Sequence, residues 1–536
     1  MWILGLVVLA LGSAQALVRL DPLVNSPAGL IRGLRAGDGE YSMFLGIPYA
    51  QVEENNPFGT SIPQPKFNTI FNAFDDSAIC PQMEEFNKTI VGTLDCLQLN
   101  IYVPATASSR NKLPVLVWIY GGGFSLGFAS RYLYGPKYLI RHDVILVTLN
   151  YRVGPYGFFC LDTPDVPGNQ GIKDQVLALR WVKENIAAFG GDMNKITVMG
   201  GSAGGVSIEF NLLSKQEKLF NQAIIQSGST FIPGVLEESG RSKAFRIAQQ
   251  LGFETNDISQ AVAFLAKTDA KLVIAAMEEL GLTSRPCIEQ VENVDSILTD
   301  HPINVNIPKV KDIPVLIGFN NKERLLQYAT LSSEQFKNLN VFRDSLQEKF
   351  IYDEEFKEME DIVRRFYIGD EEVTEALREN LIDFRSDYDF SFPVQLSLKK
   401  YLESGAKNVY YYMFSYSGGR NFAKKQNNLT LPGAAHNDII GYLFDLSYED
   451  APSEADQRVI DQMTTLWTNF VKYGDPTPQT SELLPVKWSP ITEQTYTYMN
   501  IDSELSVSTR PYNDRMAFWE LFFEVNKNKL KGYREN

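Results

Sequence analysis

Short, uninterrupted apolar runs that end in glycine, spaced by stretches of helical periodicity, restrict this chain more than any other feature. Leu113 to Ile119 is almost wholly apolar and leads into Gly121-Gly122-Gly123. Val144 to Tyr151 repeats the pattern. Between Ile172 and Ala188, apolar residues recur at Ile172, Val176, Leu179, Val182 and Ile186, which is one face of a helix. Ile196 to Met199 reads as a short strand, Gly200 to Gly205 as a break, and a helical stretch opens near Val206. Ala223 to Gln226 is a further strand signal. A strand buried on both faces reads as a continuous apolar run, and strands alternating with helices build a parallel sheet covered on both sides. The fold class is therefore α/β, with a large, mostly parallel central sheet flanked by helices.

The second half is richer in charge and helix. Glu334 to Arg378 reads as surface helices, and runs such as Asp353-Glu354-Glu355 read as solvated faces. Strand signals return at Pro314 to Phe319 and Val409 to Phe414. No internal repeat, low-complexity linker or break in composition divides the chain. Residues 17–536 are expected to form a single domain.

Charge and targeting signals narrow the setting. The net charge of -15 argues against a nucleic-acid partner, whose phosphates are gripped by clustered Lys and Arg. It also argues against docking on anionic membranes. Trp2 to Gly12 is nearly all apolar, and Ala14-Gln15-Ala16 supplies the small-x-small pattern of a cleavage site. Residues 1–16 are thus predicted to be a secretory signal peptide, too short to span a bilayer. The expected product is secreted and extracellular, starts near Leu17 and has no membrane anchor. Sequons at Asn87 and Asn428 fit that route. Cys80 and Cys96 lie in a polar, loop-like stretch, where a small-loop disulfide suits an oxidising compartment. Cys160 and Cys287 are read as two free, buried core thiols in preference to a second bridge. No cysteine has metal-ligand spacing, and no metal or cofactor is expected.

The chemistry centres on Gly200-Gly201-Ser202-Ala203-Gly204. This matches G-x-S-x-G between a strand and a helix, the pattern of an α/β-hydrolase nucleophile elbow, a turn so tight that flanking side chains would clash; a plain turn or a Gly-rich phosphate loop is the other reading. A Walker-type phosphate loop would need a Gly-Lys-Ser/Thr ending, absent here. A serine nucleophile needs a base, and the chain has only 3 histidines. The fold's chain order is Ser, acid, His. His142 precedes Ser202, and His301 sits in a turn, Thr299-Asp300-His301-Pro302. His436, behind Pro432-Gly433-Ala434-Ala435, is the predicted base. Glu323 closes the Pro314 to Phe319 strand and is the candidate acid, although pattern alone leaves other carboxylates open. The glycine loop at 121–123 is placed to offer backbone N–H groups to an oxyanion, joined by the N–H of Ala203.

These pieces resemble the type-B carboxylesterase, or cholinesterase-like, family, which also holds insect esterases and neuroligins. The likeness runs from about Gly29 to Phe523. It is carried by Phe44 to Ala50, Asp95-Cys96-Leu97, Trp118 to Phe124, Asn150-Tyr151-Arg152, Gly168 to Gly171, Gly200 to Gly204, Gly318-Phe319-Asn320 with Glu323, and His436. The resemblance implies a triad of Ser202, Glu323 and His436. It implies oxyanion donors at Gly122, Gly123 and Ala203, and a disulfide between Cys80 and Cys96. It implies a secreted serine carboxylesterase that acts on small-molecule esters, in a detoxifying or odorant- or pheromone-degrading role. A juvenile hormone esterase-like enzyme and a non-catalytic, neuroligin-like adhesion domain are the alternatives. Oligomeric state is left open.

The chain departs from the family at several positions. Gly201 stands where Glu is usual at the elbow, and Arg324 where Gly usually follows the acid. Leu94 stands where a Glu usually precedes Asp-Cys, and Pro57-Phe58 where Arg-Phe is usual. Losing both ends of that family ion pair avoids a stranded buried charge. Between Cys80 and Cys96 the only aromatic is Phe86, so the tryptophan of cholinesterases is missing. These changes point away from a cholinesterase.

Overall fold

The computed structural model describes residues 21–291, 294–448 and 450–534. The predicted signal peptide lies outside the described residues. An eleven-stranded sheet runs through the molecule. Its strands in chain order are β1 (Leu34–Arg35), β2 (Tyr41–Pro48), β3 (Gln98–Pro104), β4 (Leu113–Ile119), β5 (Ile145–Leu149) and β6 (Gly191–Gly201). Then come β7 (Gln222–Gln226), β8 (Val315–Asn320), β9 (Val409–Phe414), β10 (Thr497–Ile501) and β11 (Leu505–Thr509). In space the order is β11-β10-β9-β8-β7-β6-β4-β5-β3-β2-β1. From β5 across to β10 every neighbour is parallel. Antiparallel strands close both edges: β3, β2 and β1 on one side and β11 on the other.

The apolar runs explain the centre of this sheet. Val115 through Ile119 in β4 and Ile145 through Val147 in β5 are wholly buried, as strands covered by helices on both faces must be. The chain passes from β4 to β5 on one side and then returns to β6 on the other side of β4. That reversal opens a crevice beyond the carboxyl ends of β4 and β6, where open α/β sheets bind ligands. Helix α1 (Gln170–Asn185) leads into β6, and helix α2 (Ala203–Leu213) leaves it.

Two apolar clusters stand beside the main core. In one, the segments predicted to be surface helices bury their inner faces. Leu346, Met359 and Val363 pack with Phe384 and Trp519. The other holds Phe58, Tyr156 and Phe159, with Phe58 stacked on Tyr156 at 4.8 Å. Leu94 packs against this same cluster. Apolar contact thus stands where the resembled family places an ion pair. Nearby, Arg152 and Asp174 form a wholly buried salt bridge at 2.8 Å. The remaining nitrogen of Arg152 donates to the carbonyls of Pro57 (2.9 Å) and Gly59 (2.8 Å).

Cys80 and Cys96 are bridged, with Cα atoms 5.0 Å apart. Cys160 and Cys287 are bridged as well, which corrects the expectation of two free thiols. Their sequence separation of 127 hid the pairing. The start of α1 brings them together: Asn169 donates to the Cys287 carbonyl at 2.9 Å and accepts from its N–H at 3.0 Å. Gly168, at φ +115°, leaves room for the bridge, because a Cβ there would lie 2.6 Å from Cys287 Sγ and 2.9 Å from Cys160 Sγ. Gly252, at φ +87°, has no such neighbour within 4 Å. Gly168→Ala is expected to destabilise the protein by about 2–4 kcal/mol and Gly252→Ala by about 1 kcal/mol. Urea unfolding of both variants checks the difference.

Candidate active site

The elbow follows from the end of β6 and the start of α2. Ser202 sits at φ 53° and ψ −124°, a region that non-glycine residues occupy only under constraint. Its N–H donates to the Gln226 carbonyl at 2.8 Å, which ties the turn to the end of β7. Helix α2 leaves so close to β4 that a Cβ on Gly204 would lie 2.1 Å from the Ile119 carbonyl oxygen. The pattern's last glycine is therefore required by contact with a neighbouring strand.

Three side chains meet in the crevice. Ser202 Oγ lies 2.8 Å from His436 Nε2. His436 Nδ1 lies 2.6 Å from Glu323 Oε2. A carboxylate acceptor holds the proton on Nδ1, which turns the Nε2 lone pair toward Ser202. Glu323 is 1% exposed. Its other oxygen accepts from the Ser227 hydroxyl at 2.5 Å and from the Asn320 N–H at 2.7 Å.

The loop that carries His436 is tied at several points. The His436 N–H donates to the Glu323 carbonyl at 3.1 Å. Asn320 donates to the Ala435 carbonyl, and the Ala435 N–H donates to Asp438, each at 2.6 Å. The Phe390 ring lies 4.7 Å from the imidazole. Burial pushes the Asp438 carboxyl above its usual range.

The glycine loop stands beside the serine. A Cβ on Gly121 would meet Ser202 Cβ at 2.8 Å. The Gly122 carbonyl accepts from the N–H groups of Ser125 and Leu126 and so closes the turn. Among the described residues, the N–H groups of Gly122, Gly123 and Ala203 have no hydrogen-bond acceptor. Ala203 opens α2, where the first N–H groups of any helix lack an intrahelical partner.

The other two histidines lie elsewhere. His142 Nε2 contacts Thr464 Oγ1 at 3.0 Å, and burial, with Arg141 nearby, lowers its pKa to about 4. His301 Nδ1 caps the turn that begins at Pro302, and burial lowers its pKa to about 4 too. Sequence reasoning missed Ser227, Asn320, Asp438 and Phe390. Of these, Ser227 had a signal: it follows the strand Ala223 to Gln226 directly, level with the ends of the strands before Ser202 and Glu323.

Among the described residues, no group of three His, Cys, Asp or Glu side chains is placed to hold a metal ion. No described helix is long and apolar enough to cross a membrane. The reversed strand order, the crevice and the elbow define the α/β-hydrolase fold. A juvenile hormone esterase from Manduca sexta, solved with OTFP covalently attached, matches this structure with a TM-score of 0.81 at 27% identity. The match covers 94% of this chain and 100% of that one. Esterase FE4 of Myzus persicae is 34% identical over 476 residues, 83% of each chain. The juvenile hormone esterase of Heliothis virescens is 31% identical over 496 residues, 86% of each chain. The carboxylesterase family model matches residues 20–519. The chain belongs to the carboxylesterase family and is a carboxylic ester hydrolase that acts on small ester substrates.

Ser227→Ala removes one of the two donors on the inner oxygen of Glu323. It is expected to lower kcat about tenfold, since a hydrogen bond to a charged group contributes about 1.5–3 kcal/mol, and to leave KM nearly unchanged. Steady-state kinetics on an aryl ester check this.

Proposed function

We propose that this enzyme hydrolyses esters through an acyl-serine intermediate on Ser202. The reading rests on one observation above all: the unbroken relay from Ser202 Oγ through His436 to Glu323, at 2.8 and 2.6 Å. In the first half-reaction, Ser202 Oγ attacks the ester carbonyl carbon as His436 Nε2 takes its proton. The carbonyl oxygen becomes an oxyanion, received by the N–H groups of Gly122, Gly123 and Ala203. One such donor is worth about 3 kcal/mol in the transition state. His436 then returns the proton to the departing alcohol. In the second half-reaction, it activates water against the acyl-enzyme. Glu323 stays ionised throughout and stabilises the imidazolium.

A secreted, extracellular setting is part of the proposal. Two disulfides support it, as do sequons whose asparagines, Asn87 and Asn428, are exposed. A broad, detoxifying or odorant-degrading role is the first reading of its biology. A juvenile hormone esterase role is the second, favoured by the match to the Manduca sexta enzyme. The complete relay weighs against a non-catalytic adhesion domain.

Treating the purified protein with a fluorophosphonate probe is expected to give one adduct, on Ser202, by peptide mass spectrometry. Ser202→Ala is expected to lose the adduct and on the order of 10³-fold or more in kcat on a short-chain aryl ester. No adduct together with no turnover would sink the reading. The same peptide map reports glycans on Asn87 and Asn428 and a mature start near Leu17 in protein taken from the culture medium.

Gly201 adds a second expectation. With no carboxylate at the elbow, preference for cationic esters is expected to be weak. A Cβ at Gly201 would meet only Trp118, at 3.3 Å, so the indole must yield slightly to a side chain. Gly201→Glu is expected to raise turnover of a cationic ester relative to its neutral isostere, and an unchanged ratio counts against the idea.

A further inference from the structure

Arg324, where the resembled family carries glycine, directs its side chain at a wide helical turn. That turn, Asp387–Ser391, joins the helices Arg378–Ser386 and Phe392–Glu403. Turns of this π type gather at functional sites. Here the turn presents two residues, Asp389 and Phe390, to Arg324.

Asp389 is 1% exposed and serves two guanidinium groups through one oxygen. Arg324 Nε lies 2.5 Å from Asp389 Oδ2, and Arg385 Nη2 lies 2.9 Å from the same atom. Glu348 lies within electrostatic reach of both arginines and is ion-paired with neither. The terminal nitrogens of Arg324 have no acceptor among the described residues, and its side chain is 33% exposed.

The position is close to the chemistry. The Arg324 guanidinium lies 5.1 Å from the centre of the Phe390 ring, and that ring lies 4.7 Å from the His436 imidazole. Among the described residues, three buried polar atoms in this neighbourhood have no partner: Asp389 Oδ1 and the hydroxyls of Tyr328 and Tyr388. Each belongs to a residue 1% exposed. The two hydroxyls can donate to an anion, whereas Asp389 Oδ1 only accepts.

We propose that Arg324 is a specificity-determining residue that receives an anionic group, a carboxylate above all, carried by the ester substrate. A guanidinium offers its free edge to a carboxylate through two parallel hydrogen bonds. The assignment rests on the hydrolytic site at Ser202 and deepens it by naming a substrate class. The anion can be carried on the acyl or on the alcohol side of the ester, and the test separates the two.

For the acyl side, para-nitrophenyl half-esters of adipic and suberic acids are compared with para-nitrophenyl hexanoate and octanoate. For the alcohol side, the butyrate ester of omega-hydroxyhexanoic acid is compared with hexyl butyrate. In Arg324→Gln the ratio of anionic to neutral kcat/KM is expected to fall about tenfold in one series, with neutral esters changed by about twofold at most. Arg324→Lys is expected to keep an intermediate ratio, because it keeps the charge and loses the fork. Raising the salt concentration is expected to lower the ratio in the wild type alone. A ratio unmoved in both series overturns the proposal. So does a parallel fall of neutral esters, which would leave Arg324 as a prop for Asp389 and Phe390. Fluorophosphonate labelling and neutral-ester turnover by the wild type separate these results from failure of the acyl-serine mechanism itself.

Discussion

The backbone at Ser202 can stay in its disfavoured conformation only because the strands on both sides of β6 hold it there. On one side, the Ser202 N–H is bonded to the end of β7. On the other, α2 presses against the end of β4, with no room for a side chain on Gly204. The strain is local and the support comes from the whole sheet. Everything else at the site takes its level from this turn. The glycine loop leaves β4, Ser227 follows β7, Glu323 follows β8, and each of these strands is in parallel register with its neighbour. The site is a row of strand ends, to which one loop adds the imidazole.

That arrangement explains which parts were legible in the sequence. Ser202, Glu323 and His436, the triad proposed above, could be picked out because the fold fixes their order along the chain and because histidine is scarce. The central strands could be found because a doubly covered strand is written as an apolar run. Asn320 and Asp438 left no comparable mark, and Ser227 only its place directly after a strand. They are ordinary polar residues whose meaning comes from standing opposite Glu323 or His436 in space. Phe390 depends on a wide helical turn that leaves no periodic signature. The second disulfide was misread for the same reason: the flanks of Cys160 and Cys287 describe burial, and burial suits a thiol and a bridge equally well.

Helix α1 shows how remote segments are brought to the crevice. Two neighbouring residues on it, Lys173 and Asp174, are both buried and both paired. Lys173 meets Glu289 at 2.7 Å, and Asp174 meets Arg152. The first pair draws in the segment after Cys287, and the second, through Arg152, fixes the turn at Pro57 to Gly59. Removing one partner of a buried pair costs about 3–5 kcal/mol. The helix therefore works as a crosspiece, and charges that add little net stability specify which loops lie next to it.

The bridge between Cys160 and Cys287 also makes part of the backbone a closed ring. Ser202 lies within the ring, whereas Glu323 and His436 lie beyond it. In the unfolded chain, closing a ring of 127 residues removes entropy worth about 5 kcal/mol in the chain-entropy account. The oxidised protein thus keeps Ser202 inside a closed loop while Glu323 and His436 lie on the open chain beyond it. The three side chains of the relay thus come from two topologically different pieces, and heat or denaturant can separate them while the covalent ring around the serine stays intact.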